Sequence, residues 1–243
     1  MLDVQHLTKK YGKTTACDDV TFHLDPGSVN VILGPNGAGK STLMKSIIGF
    51  LRYSGTVTVK GFSNRTSEAR KIIGYIPEMP ALYQNLTVSE HMEFVARAYR
   101  LTDYKGRIDE LLKRFELDDK RKKFGDELSK GMQQKANICL GLLPDPEFVL
   151  MDEPMIGLDP HAIKQLKLLM EEMREQGKTL FISTHIIDSV DMLWDRALIM
   201  QGGRLVANVT REEFENTDKT LEDIFFEVTE GVSKEDVTSS END

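Results

Sequence analysis

Two hydrophobic rhythms alternate along the chain. Near the N-terminus apolar and polar residues take turns: Leu2, Val4 and His6, then Val20, Phe22 and Leu24 ahead of Pro26-Gly27, then Thr56 to Val59 ahead of Gly61. A period of two punctuated by turn residues predicts half-exposed antiparallel strands. Three other segments are apolar without interruption and stop abruptly at polar residues. They are Val31-Ile32-Leu33 before Gly34, Phe148 to Met151 before Asp152-Glu153, and Leu180-Phe181-Ile182 before Ser183-Thr184-His185. Such runs suit strands buried on both faces of a parallel sheet. Open α/β sheets collect ligands beyond the carboxyl ends of their strands, so the three polar ends are expected to line one site.

From Thr87 to Gly141 the rhythm becomes helical. Thr87 and Glu90 have capping-box spacing, Phe94, Val95, Ala98 and Tyr99 continue one face, and Ile108, Leu111, Leu112 and Phe115 make a second amphipathic helix. No strand-like run interrupts this region, which reads as a helical insertion of about residues 85–143 in an α/β domain spanning 1–230. Asp159-Pro160 opens a further helix as N-cap and first helical residue, with Ile163, Leu166, Met170 and Met173 inward. Gly202-Gly203, after Ala197 to Met200, marks a hairpin. Residues 231–243 are mostly polar or acidic and are expected to form a frayed tail.

Composition narrows the class. The 243 residues are 40% apolar, enough for a proper core, and no run of eighteen apolar residues suggests a membrane span. The first residues lack the basic and apolar regions of a secretory signal, so a membrane role is expected to come through a partner. Cys17 and Cys139 stand in no metal-ligand spacing and suggest a reducing cytosol. With 39 acidic against 31 basic side chains the net charge is −8, which argues against nucleic acid as a partner. The basic run Lys120 to Lys123 follows Asp118-Asp119 and reads as a solvated face.

The chemistry is concentrated at the predicted strand ends. Gly34-Pro35-Asn36-Gly37-Ala38-Gly39-Lys40-Ser41-Thr42 matches G-x-x-x-x-G-K-[ST] between a strand and a helix, the context in which backbone N–H groups close on phosphate oxygens. In that setting Lys40 reaches the β and γ phosphates and the Ser41 hydroxyl ligates Mg²⁺. Asp152 suits the metal side of the site, and Glu153 suits polarisation of an attacking water, although such a pair is often only a capped strand end. His185, ending its own buried strand, can reach the γ phosphate from the other side; a lone histidine is otherwise usually structural. Leu128 to Lys135, LSKGMQQK, reads as a second helix start suited to an anion, in a chain that already has a phosphate cradle.

Taken in order, Tyr11, the loop 34–42, Gly74 to Glu78, Leu128 to Met132, Phe148 to Glu153, Gly157-Leu158-Asp159 and His185 resemble the A-loop aromatic, Walker A, Q-loop, signature, Walker B, D-loop and switch histidine of ABC transporter nucleotide-binding subunits. The resemblance covers nearly the whole chain. It implies a P-loop NTPase fold with a RecA-like core, an N-terminal antiparallel β-subdomain and an inserted α-helical subdomain. It implies hydrolysis of ATP with Mg²⁺, Tyr11 stacked on adenine, and head-to-tail pairing in which Ser129 and Gly131 of one subunit meet the γ phosphate held by Lys40 of the other. Asp159 would sit at that interface as well as capping its helix. The second subunit is expected to be an identical copy, with a heterodimer as the alternative, and a separate transmembrane permease would hold the pair peripherally on the cytoplasmic face of the membrane.

Three letters depart from the family. Lys130 and Met132 replace a glycine and a glutamine of the signature, and Glu78 replaces the Q-loop glutamine, where a carboxylate can still face Mg²⁺ or the water. With the segment Leu221 to Phe226, these variants resemble the subgroup that energises ABC-2-type exporters of drugs, antimicrobial peptides, lipids or ions. A soluble ABC ATPase acting on ribosomes or DNA is the alternative; its usual second domain or coiled-coil insertion is not seen. A small-molecule kinase would leave 128–132 and His185 unexplained.

Overall fold

The computed structural model describes residues 1–187, 194–215 and 220–229. The N-terminal alternation folds as β1 (Leu2–Tyr11) and β2 (Thr14–Leu24), paired antiparallel. β3 (Val29–Leu33) runs into α1 (Lys40–Ile47), and β4 (Ser54–Val59) with β5 (Phe62–Ser63) completes a first sheet of order β2-β1-β4-β5. After α2 (Ser67–Ile72) and β6 (Ile73–Ile76) come α3 (Val88–Ala98), α4 (Lys105–Arg114) and α5 (Lys130–Leu142), with only short 3-10 turns between them. Then follow β7 (Phe148–Asp152), α6 (Pro160–Glu175), β8 (Thr179–Thr184), β9 (Arg196–Gln201), β10 (Arg204–Thr210) and α7 (Arg211–Glu215). The predicted tail, 231–243, lies outside the described residues.

Every residue of β3, β7 and β8 is buried. Strands apolar on both faces need cover on both, and they form the middle of a second sheet of order β10-β9-β3-β8-β7-β6, parallel except for β10. Val29, Val31 and Leu33 pack into the core shared with α3 to α6, whereas Ile32 packs with α1 and the first sheet. The first sheet and the helical segment thus pack on opposite faces of one set of strands. Their carboxyl ends bring residues 34, 152 and 184 into neighbouring register, because Leu33 pairs with Thr184 and Asp152 with Ser183.

Two expectations shift. His6 does not share the inward face of Leu2 and Val4: a bulge between Val4 and Leu7 puts His6 at φ 53 and exposed, and Leu7 takes the buried place. In α3 the buried face is Val88, His91, Met92 and Ala96, while Phe94, Ala98 and Tyr99 are exposed. The Thr87–Glu90 capping box forms as expected, and the helix turns Val88, Met92 and Ala96 to the core. Phe94 instead meets Tyr83 edge-on with centroids 5.9 Å apart. The basic run behaves as a solvated face, with Arg121 paired to Asp109 and Asp118.

Candidate functional site

The loop after β3 is shaped by what crowds it. A Cβ on Gly34 would lie 2.3 Å from the Met200 carbonyl, and one on Gly39, at φ 107, would lie 2.2 Å from the Ala16 carbonyl. Neither position admits a side chain, so the loop curls tightly between β2 and the β9–β10 hairpin. That hairpin ties it down: Gly203 N–H donates to the Ala38 carbonyl at 3.0 Å, and the Gly203 carbonyl accepts from Asp18 N–H at 2.8 Å. α1 then begins at Lys40 with no side chain capping its first turn, which leaves its amides and positive dipole end turned towards a cavity of about 300 Å³. The cavity is lined by residues 36–42 with Ala16, Glu78, Glu153, Ile156 and His185.

Around this cavity the charges are close and mostly buried. Lys40 Nζ donates to the Gly34 carbonyl at 2.7 Å and the Pro35 carbonyl at 3.3 Å, and lies 3.7 Å from Glu153 Oε1. Glu153 Oε1 is also 2.9 Å from His185 Nδ1. One residue back, Asp152 Oδ1 accepts from the Ser41 hydroxyl at 3.1 Å and the Ser183 hydroxyl at 2.6 Å, while its Oδ2 is buried without a partner among the described residues. Adjacent acids separate because Glu153 sits at φ 48, turning its side chain away from the strand direction that Asp152 follows. Ser183 makes the separation firm, since its hydroxyl also accepts the Glu153 N–H at 3.0 Å.

Lys40, Ser41, Thr42, Asn36 to Gly39, Glu78, Glu153 and His185 are therefore brought together, with Asp152 behind Ser41 and Gly34 and Pro35 as carbonyl partners of Lys40. Tyr11 is not in the lining; it ends β1, 49% exposed, with Lys9 Nζ 4.7 Å from its ring centroid. Ser129 and Gly131 also lie outside the cavity. Ser129 is the exposed N-cap of α5, its hydroxyl accepting from Met132 N–H at 3.3 Å. Asp159 pairs with Lys135 Nζ at 2.8 Å and caps α6 through Ala162 N–H, contacts that in that order hold its carboxyl below the usual range.

Gly131 has a structural reason beside any ligand: a Cβ there would come within 2.8 Å of the Gly157 carbonyl. Gly131→Ala is expected to push the 157–159 turn away from α5, lowering unfolding free energy by about 1–3 kcal/mol in denaturant titrations. An unchanged midpoint would show that the turn yields freely.

Sequence reasoning missed the residues that hold the site from behind. Ser183 was visible only as one of three polar residues ending β8; its register opposite Asp152 decides its role. Gln134 donates to the Pro154 carbonyl at 3.1 Å and Asn137 to the Pro77 carbonyl at 2.8 Å, so one buried polar edge of α5 grips the loops after both β7 and β6. A polar pair at i, i+3 inside an otherwise buried helix was the available signal.

The ABC transporter family profile matches residues 17–156. The chain is 36% identical over 238 residues to the ABC-type transporter ATP-binding protein EcsA of Bacillus subtilis, covering 94% of this chain and 96% of that protein. It is 34% identical to the lantibiotic transport ATP-binding protein SrtF of Streptococcus pyogenes, covering 93% of this chain and 96% of the other. Among solved structures, one described as an ATP-binding subunit of an ABC transporter superposes with a TM-score of 0.88 at 35% identity, covering 94% of this chain and 99% of its own.

Proposed function

The chain belongs to the ABC transporter family as an ATP-binding subunit, an ATPase coupled to transport, and on that footing we propose that it closes head to tail on a second copy over two MgATP molecules to drive export through a separate permease. The carrying observation is the exposed Ser129 end of α5, a helix start suited to an anion that stays outside the cavity of its own Lys40. Paired head to tail, each Ser129 hydroxyl and Gly131 N–H meets the γ phosphate on the other chain's Lys40. Asp159, paired with Lys135 of the same α5, adds its carboxylate to that interface, and Tyr11 offers the adenine an exposed aromatic face.

The residues present fit Mg²⁺. A buried carboxylate oxygen without a donor, Asp152 Oδ2, stands beside the Ser41 hydroxyl, with Glu78 on the same cavity. Mg²⁺ is held mainly by phosphate oxygens and water with one or two protein oxygens, so Ser41 and Asp152 suffice. When bound, the ion neutralises charge on the β and γ phosphates. Glu153 holds the attacking water and takes its proton, while His185 steadies the Glu153 carboxylate and faces the γ phosphate.

No helix among the described residues is long and apolar enough to cross a membrane. A cleft of about 490 Å³ lined by Phe50, Arg70, Tyr75, Val95, Tyr99 and Leu140 among others gives a short helix of a permease a place to dock. Its apolar walls beside α3 and β6 support a membrane-facing orientation of that side. A lantibiotic transporter among the relatives supports an amphipathic or antimicrobial cargo.

Ser129→Ala tests the pairing. It is expected to weaken ATP-dependent dimerisation, measured by light scattering or sedimentation, by about tenfold, since a hydrogen bond to a charged group contributes about 1.5–3 kcal/mol. Nucleotide affinity of the monomer should stay nearly unchanged. A large loss in the monomer would place this serine on its own chain's nucleotide and remove the head-to-tail argument.

A further inference from the structure

Tyr75 belongs to two places at once. Its ring lines the apolar cleft, meeting Phe50 at a centroid distance of 6.0 Å and 85° between planes. It also stands opposite Leu150 in the β6–β7 pairing, so Asp152, two residues further along β7, projects from the same face of the sheet. The Tyr75 hydroxyl and Asp152 Oδ2 are both buried and neither has a hydrogen-bonding partner among the described residues. A donor and an acceptor left unpaired in one interior are each costly, and such groups in a native fold call for an explanation. The phenol is held well above its ordinary range, first by burial, then by the nearby charge of Asp152, and more weakly by that of Glu78.

We propose that Tyr75 is a positioning residue for Asp152, its phenolic O–H donating to Oδ2 so that Oδ1 stays directed at Ser41. The inference rests on the ATP-binding reading and adds a residue to it. An ionised carboxylate offers about four lone-pair sites; Ser41 and Ser183 use Oδ1, leaving room on Oδ2 for the phenol and for the hydration shell of a cation. The partner-facing consequence follows from the ring. A segment seated in the cleft presses on Tyr75 beside Phe50, and the hydroxyl at the far end of the same rigid side chain moves against Asp152. Occupancy of the cleft and the setting of the metal-side carboxylate are thereby joined through one tyrosine.

Tyr75→Phe removes one oxygen and keeps the ring. Binding of a non-hydrolysable ATP analogue to the full-length protein is measured by calorimetry with Mg²⁺ and again with EDTA, after thermal melting has shown that the variant folds. The affinity with Mg²⁺ is expected to fall about tenfold while the affinity in EDTA stays the same. Equal affinities for variant and parent in both conditions overturn the proposal. A parallel loss in both overturns it as well, because that pattern belongs to packing of the ring. If the parent protein itself binds no analogue under either condition, the ATP-binding reading fails and the Tyr75 inference falls with it.

Discussion

Glu153→Gln is expected to leave ATP binding intact and to slow phosphate release by about 100- to 10,000-fold, the range that a positioned general base contributes. The substitution is nearly isosteric, so the geometry around it should survive. Glu153 N–H keeps its bonds to the Ser183 carbonyl at 3.1 Å and hydroxyl at 3.0 Å, and the side-chain oxygen can still accept from His185. An amide cannot take a proton from water. Bound ATP then persists, and on the proposed head-to-tail pairing a dimer should accumulate, visible as a nucleotide-dependent doubling of mass in solution. Steady-state phosphate release at the parent rate would remove Glu153 from the role of base, with Glu78, on the same cavity, next to be tested. His185→Ala separates orientation from proton transfer: it deletes the 2.9 Å partner of Glu153 Oε1 but leaves the carboxylate, so a smaller loss is expected than for Glu153→Gln.

Much of this site was legible because its parts are local. A glycine loop between an apolar run and a helix, or two acids ending a buried strand, can be read without knowing the fold, since the chemistry needs those residue types at those spacings. The parallel sheet was legible for a similar reason: strands covered on both faces need continuous apolar runs, and the runs Val31 to Leu33, Phe148 to Met151 and Leu180 to Ile182 lie in β3, β7 and β8, which are buried at every residue. What the linear pattern lacks is the partner across a register. Ser183 acquires its role only because β8 places it beside Asp152, and Tyr75 because β6 places it two residues short of the same acid. The phase of α3 was misread for a comparable reason. Both candidate faces carry apolar residues at helical spacing, and the choice is made by packing against the rest of the core, which takes Val88, Met92 and Ala96 and leaves Phe94 and Tyr99 outside. His6 shows the reverse, a strict alternation defeated by one extra residue at a bulge.

Lys40→Ala should dissociate binding from the chemistry that Glu153→Gln isolates. The Lys40 side chain is 6% exposed, and its Nζ donates to the Gly34 and Pro35 carbonyls and lies 3.7 Å from the Glu153 carboxylate. Its charge is what lets a buried carboxylate and an incoming triphosphate share one small cavity. Two charge-assisted hydrogen bonds to phosphate at about 1.5 kcal/mol each amount to roughly 3 kcal/mol, or about a hundredfold in affinity. The variant is therefore expected to lose about that factor in binding a fluorescent ATP analogue and to show no measurable turnover. It also leaves Glu153 buried beside an exposed histidine with no fixed cation, so its melting temperature should fall and should be less responsive to added nucleotide. Lys40→Arg retains the charge but asks a planar fork to fit where a single ammonium sits 2.7 Å from a loop carbonyl, so little recovery is expected. Parent-like affinity in Lys40→Ala would mean that the loop amides alone hold the phosphates. The proposed assignment of the buried ammonium to the γ phosphate would then fail, and with it the proposed composite site completed by Ser129.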